Sequence, residues 1–256
     1  MDYALFFAAS AAASTLAGMV GVGGALLIVP MLMAFAGELG LVPPEIRFMG
    51  YLMNFISLAP IVVRNRAKID WKMAMPLIVA AVAGAVIGAN LPKAASEKTL
   101  LMVFAITLII IIGLLVRKIF DKTRPVRDFQ HDAKSWAVIA GIGLIVGLAS
   151  GLFGIGGGIF MLPLVVIFLG IKPKSIILIT PLIVLFSTGT GILVHLLHGL
   201  AGFHLGITSV VAAGAIIGAN TGDHLRGRLS DKALNWVIVL VLAAMTVKIW
   251  LRVLGA

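Results

Sequence analysis

Charged residues divide the chain into charge-free stretches at 3–37, 48–63, 73–92, 99–116, 135–171, 175–222 and 233–247. Apolar residues run through them continuously, without the period-two alternation of half-buried strands or of a membrane β-barrel. About 17 to 25 apolar residues carry one helix across a bilayer, and only a helix pairs its backbone groups internally in lipid. Several of the stretches are that long. The pattern predicts an all-α polytopic membrane protein.

The chain also repeats itself. Gly18-Met-Val-Gly-Val-Gly-Gly-Ala-Leu-Leu-Ile-Val-Pro30 lies 133 positions before Gly151-Leu-Phe-Gly-Ile-Gly-Gly-Gly-Ile-Phe-Met-Leu-Pro163, with four glycines and the last proline in common. Ala83-Gly-Ala-Val-Ile-Gly-Ala-Asn90 precedes Ala213-Gly-Ala-Ile-Ile-Gly-Ala-Asn220 by 130, with seven of eight positions identical. Pro43 with Pro173, and Ser57 with Ser187, keep the same order. Ordered matches at a nearly constant offset mark two homologous halves, an N-terminal repeat at 1–120 and a C-terminal repeat at 135–256. A charged linker, 121–134, joins them and is expected in the cytoplasm.

Each half opens with a charge-free stretch, 3–37 or 135–171, too long for one helix through a core about 30 Å thick. Glycine is a poor helix former and permits the positive φ values that reverse a chain. Each half is therefore expected to have a glycine-broken first segment followed by three transmembrane helices. Charge gives a test, because a single crossing implies parallel repeats and a re-entrant or double crossing implies inverted ones. With broken segments, fifteen of the twenty Lys and Arg residues share a side, and only Arg47, Lys93, Lys98, Lys248 and Arg252 oppose them. Inverted repeats with both termini outside the cytoplasm obey the positive-inside rule better.

Composition sharpens this picture. The chain is 61% hydrophobic and 12% charged, with a formal net charge of +10. The basic residues sit in short loops and are read as topology; no basic aromatic face suggests nucleic acid. With zero cysteines, disulfides, thiolate metal sites and a Cys nucleophile are excluded. No Lys or Arg precedes Arg47, so the first segment lacks the basic start of a cleaved signal peptide and is expected to belong to the mature protein.

The candidate chemistry lies in the glycine breaks. A half-helix starting after one of them presents free N–H groups and the positive end of its dipole, and glycine lets an anion approach the backbone. Gly21, Val22, Gly23 and Gly24 in the first half, and Gly154, Ile155, Gly156, Gly157 and Gly158 in the second, are the candidate substrate-binding residues. Asn54, Ser57, Thr180 and Ser187 sit mid-segment and are expected to line the path. Gly84, Gly88, Gly214 and Gly218 follow the small-xxx-small spacing of helix packing, and packing is their expected role. His195, His198 and His204 are expected at the membrane surface or in a solvated loop. No carboxylate lies mid-span, and no paired carboxylates or Ser-His-Asp arrangement suggest an enzyme. No cofactor is expected.

The paired glycine motifs, the duplicated Gly-Ala-xx-Gly-Ala-Asn and the length resemble the TauE/SafE, or TSUP, family of sulfite exporters across essentially the whole chain. The resemblance implies a transporter of small sulfur-containing anions such as sulfite or an organosulfonate. The expected mechanism is export across the plasma membrane by alternating access, with one repeat-derived bundle rocking against the other about a midplane site; an anion channel, a transporter of another small organic acid and an intramembrane scaffold are the alternatives. The implied partners are a small anionic substrate and membrane lipid; a homodimer is left open. The matching positions are the two glycine breaks with Pro30 and Pro163. One position departs from the symmetry: Ala25 stands where the second copy has Gly158.

Overall fold

The computed structural model describes residues 3–20, 24–94, 96–120, 132–169, 179–199, 205–225 and 231–254. All regular structure among them is helical. In the first half α1 (Tyr3–Val20) leads to the short α2 (Ala25–Ala34), then α3 (Pro43–Asn65), α4 (Trp71–Asn90) and α5 (Glu97–Phe120). The second half repeats the order with α6 (Ala133–Phe153), the short α7 (Gly158–Leu169), α8 (Ile179–Leu197), α9 (Leu205–Leu225) and α10 (Asp231–Leu254). Six helices among the described residues are long and apolar enough to cross a membrane. This is a multi-pass membrane protein.

Local sequence explains the ends of several helices. Pro43 opens α3, where a missing N–H costs nothing, and the Val42 N–H is taken by Glu45 Oε2 at 3.2 Å. Asp70 caps α4 by accepting from the Lys72 and Met73 N–H groups, and Asp132 caps α6 by accepting from Ser135 N–H at 3.0 Å. Hydrogen bonding from Ser135 holds the exposed Asp132 carboxyl below its usual range.

The two halves interleave. α4 packs along α6, and α1 packs along α9. Both seams are built from small residues. Gly143 lies against Leu77, Gly147 against Ala81 and Gly151 against Ala85, so α4 and α6 advance in the same direction. Gly214 lies against Phe7, Gly218 against Ala11 and Gly222 against Thr15, which makes α1 and α9 parallel as well. A Cβ at Gly84, Gly88, Gly147 or Gly218 would fall within 3.0 Å of the partner's backbone, so only glycine allows the approach. The packing role expected for the duplicated Gly-Ala motif is therefore observed.

Between these seams α3 and α8 run antiparallel, with Phe55 against Gly189, Tyr51 against Gly191 and Phe48 stacked on His195 at 5.9 Å. α5 packs with α10, and the Phe120 and Trp236 rings meet edge-on where one helix ends and the other begins. Met102, Ile106, Ile109 and Ile110 on α5, with Leu240, Val247 and Leu251 on α10, stay exposed. In water such a patch would be a liability, and in a bilayer it is the surface that lipid covers.

A direct test follows from the seams. Gly147→Val should destabilise the protein by about 1–3 kcal/mol or prevent its folding, as overpacking does. Gly141→Ala, with nothing within 4 Å of the added Cβ, should stabilise it by about 0.5–1 kcal/mol. Thermal unfolding of both variants in detergent checks the pair, and equal effects would show that the seam is not close-packed.

Candidate functional site

The second glycine break is a reversal of the chain. α6 ends at Phe153, and Gly154 closes it in the left-handed region at φ 76°, donating its N–H to Ser150 O at 2.8 Å. Gly156 at φ 82° and Gly157 at φ 62° complete the turn, and α7 starts at Gly158. Gly157 lies against Val146, so α7 returns alongside α6 instead of continuing across. A helix of 12 residues spans only about 18 Å at 1.5 Å per residue, so α7 stays within the membrane's depth.

The turn is wedged against other helices. Gly154 touches the Arg47 backbone, and Gly156 sits between the Asn54 amide and the Val184 side chain. Positive φ and lack of space both demand glycine here. Among the described residues nothing accepts from the N–H groups of Ile155, Gly156 and Gly157, and the Gly157 N-cap brings no side chain to α7.

In the first half Gly21, Val22 and Gly23 lie outside the described residues. Gly24 is in the right-handed helical region at φ −65°, and it packs on Ser14 of α1, so α2 also turns back along its predecessor. Its first N–H is satisfied: Ala25 donates to Asn54 Oδ1 at 3.3 Å.

Asn54 thus joins the two breaks. Fully buried on α3, it holds the start of α2 with its oxygen and presents its Nδ2 to Gly156. That Nδ2 has no acceptor, and neither has the buried Ser14 Oγ beside Gly24. Leaving such a group unpaired costs about 1–3 kcal/mol, and native structures tolerate it where a ligand or a strain has a role. At the repeat offset of 130 defined by Ser57 and Ser187, the counterpart of Asn54 is Val184, which touches the same glycine.

The remaining candidates are placed less directly. Ser57 is buried, and its hydroxyl turns back to Asn54 O at 3.4 Å within its own helix. Ser187 is fully buried, 3.0 Å from Ser150 Oγ and 3.1 Å from Val184 O, which links α8 to the last turn of α6. Thr180 is buried at the second position of α8, a turn before Val184. Thr188 donates within its helix to Val184 O at 2.7 Å. Asn54 and Gly156 therefore meet, while Ser187 lies against Ser150 and Val184, and Ser57 bonds within its own helix.

Two groups escaped the sequence reading. Arg47 looked like a loop cation, yet the Pro43 start places it in the second turn of α3, where it is only 6% exposed. Its Nε has no partner. It lines a cleft with Met33, Pro43, Leu101, Phe104, Leu152 and Phe153. One turn further on, the fully buried Tyr51 donates its hydroxyl to Gly151 O and ties α3 to the end of α6. The prolines at 43 and 44 were the available signal, because they start the helix before the charge. His195 lies in the last turn of α8, half-buried against Phe48 and Tyr51. His198 is exposed at the helix end, as expected of a surface histidine, and His204 lies outside the described residues.

Comparison with known proteins fits this arrangement. The sequence model of the sulfite exporter TauE/SafE family matches residues 6–249. The chain belongs to the TauE/SafE family. It is similar to the probable membrane transporter protein YunE of Bacillus subtilis, 27% identical over 263 residues that cover 94% of this chain and 95% of the relative. No solved structure matches it. A TauE/SafE protein is a membrane transporter.

Gly156→Ala should cost about 1–3 kcal/mol, since a side chain at φ 82° is strained and its Cβ collides with Asn54. Thermal unfolding beside Gly113→Ala, where the space is open, measures it; a Gly156→Ala protein as stable as Gly113→Ala would mean that the turn is not rigid.

Proposed function

We propose that this protein exports a small sulfur-containing anion, such as sulfite or an organosulfonate, across the plasma membrane by alternating access at the glycine turns. The observation that carries the reading is Asn54: a fully buried amide whose Nδ2 has no acceptor and faces a turn whose N–H groups have none among the described residues. Donors without acceptors in a dry apolar bundle are complementary to an oxyanion, which supplies acceptors in several directions. Membership of the family supports the sulfur chemistry. Outward flux is the favourable direction for an anion, because an inside-negative potential contributes about 2.3 kcal/mol per charge per 100 mV.

We further infer inverted repeats. The antiparallel α3 and α8 are counterparts, and so are α5 and α10, whose meeting of end with start also implies opposite directions. The parallel seams α1/α9 and α4/α6 supply the units that rock: each pairs a helix of one half with a helix of the other, so the moving bundles mix the repeats. The fifteen basic residues then share the side on which α4 and α6 begin, which is the cytoplasmic side by the positive-inside rule.

Flux of sulfite, methanesulfonate, sulfate, carboxylates and chloride in proteoliposomes tests the substrate. Selective sulfite or sulfonate flux is expected, and Asn54→Val, which makes the site match Val184, should lower it at least tenfold with the protein still inserted. Equal flux of all anions would favour a channel, and wild-type flux in Asn54→Val would remove the turn from the path. Topology has its own test. The chain has no native cysteine, so single cysteines at position 2 and position 256 should react with an impermeant thiol reagent added outside cells, and protection of either would overturn the inverted arrangement.

A further inference from the structure

Arg47 is a buried cation whose Nε has no acceptor among the described residues. It is 6% exposed, and among the described residues its guanidinium, with Nε buried, makes no hydrogen bond or ion pair. The carboxylate nearest in sequence, Glu45, accepts from Val42 N–H, and residues two apart point to different faces of a helix. The cleft around the guanidinium is apolar, lined by the ends of α2, α3 and α6 and the first turns of α5. Guanidinium stays protonated under all ordinary conditions, so its charge is not relieved by losing a proton. A buried charge without a partner is a large cost to the fold.

Its surroundings are unusual for that side of the membrane. Arg47, Lys248 and Arg252 belong to the few basic residues opposite the cytoplasmic majority, and all three gather at the end of α2. Arg252 donates to Met33 O at 3.1 Å, Lys248 stands 3.1 Å above the Phe35 ring, and Met33 also lines the Arg47 cleft. The backbone of Arg47 touches Gly154, the first residue of the glycine turn. The cleft therefore opens one step from the turn, on the outer side.

We infer that Arg47 is a second anion-binding residue of the path, holding the oxyanion on the outer side of the glycine turn. The inference rests on the transport reading above and adds a residue and a selectivity to it. A planar guanidinium presents parallel N–H donors that match two oxygens of a sulfite or sulfonate group, whereas a halide offers one point of contact. The residue thus discriminates oxyanions from chloride, and a lysine at the same place supplies charge without the fork.

The experiment is a thermal-shift titration of purified protein with sulfite, methanesulfonate and chloride, repeated as flux in proteoliposomes. Wild type should be stabilised by the two oxyanions at concentrations well below those needed for chloride. Arg47→Gln and Arg47→Met should raise the oxyanion concentration for half-maximal stabilisation at least tenfold. Without anion, Arg47→Met should melt no lower than wild type, because it removes an unpaired charge from an apolar cleft. Arg47→Lys should keep a response to anions and lose the preference over chloride. Wild-type titrations in the three variants would overturn the role of Arg47 and leave the transport reading standing. A lower melting temperature for Arg47→Met, with its anion response intact, would make Arg47 a structural residue. Stabilisation of wild type by anionic lipid alone would assign the cleft to a headgroup, and a wild type indifferent to every anion would overturn both readings.

Discussion

Everything in this structure depends on how a backbone can be broken inside a membrane. In water an unpaired N–H finds a solvent partner, but hydrocarbon supplies none, so a helix interrupted at depth must satisfy its exposed groups with protein or with a ligand. The two breaks in this chain answer that demand differently. In the first half the start of α2 is held by Asn54 Oδ1. In the second half the turn at Ile155–Gly157 has no such cap among the described residues, although it is packed against the same residue.

Close packing makes the breaks possible. A reversal within the membrane needs rigid walls, and these come from helices that approach through glycine: α4 on α6, and α1 on α9. Both α6 and α1 are the helices that lead into a turn. The seams thus fix the position of each break from behind while Tyr51 fixes it from the side, its hydroxyl bound to Gly151 O. Apolar burial alone would not select these contacts, because lipid is as apolar as the helices. Shape and the few buried hydrogen bonds do.

Much of this was legible from the residues. The glycine breaks followed from length, because 35 or more uncharged residues do not fit one crossing, and the observed reversal at Gly154–Gly157 is what that excess required. The Gly-Ala motifs declared packing surfaces, and they are. Their partners were not legible, since a small-xxx-small stripe specifies a close approach without naming the helix that makes it. Arg47 was obscured for another reason: charge counting assigns every cation to a loop, and burial within a helix is a tertiary fact. The ring contacts of His195 were not legible because its neighbours Phe48 and Tyr51 lie 140 or more positions away.

The duplication carries the most information where it fails. Perfectly matched halves would place equivalent groups at both turns, and a substrate would have no reason to prefer one. Here the pair is Asn54 and Val184, and both touch Gly156. One neighbour of the turn is then polar and the other apolar. The polar neighbour is committed to both halves at once, because the amide that faces the second turn also caps the first. Movement of α3 relative to α7 changes the environment of the second turn, and movement of α3 relative to α2 changes the cap on the first. A single side chain is enough to couple the two breaks, and the symmetry of the fold provides the second break for it to couple to.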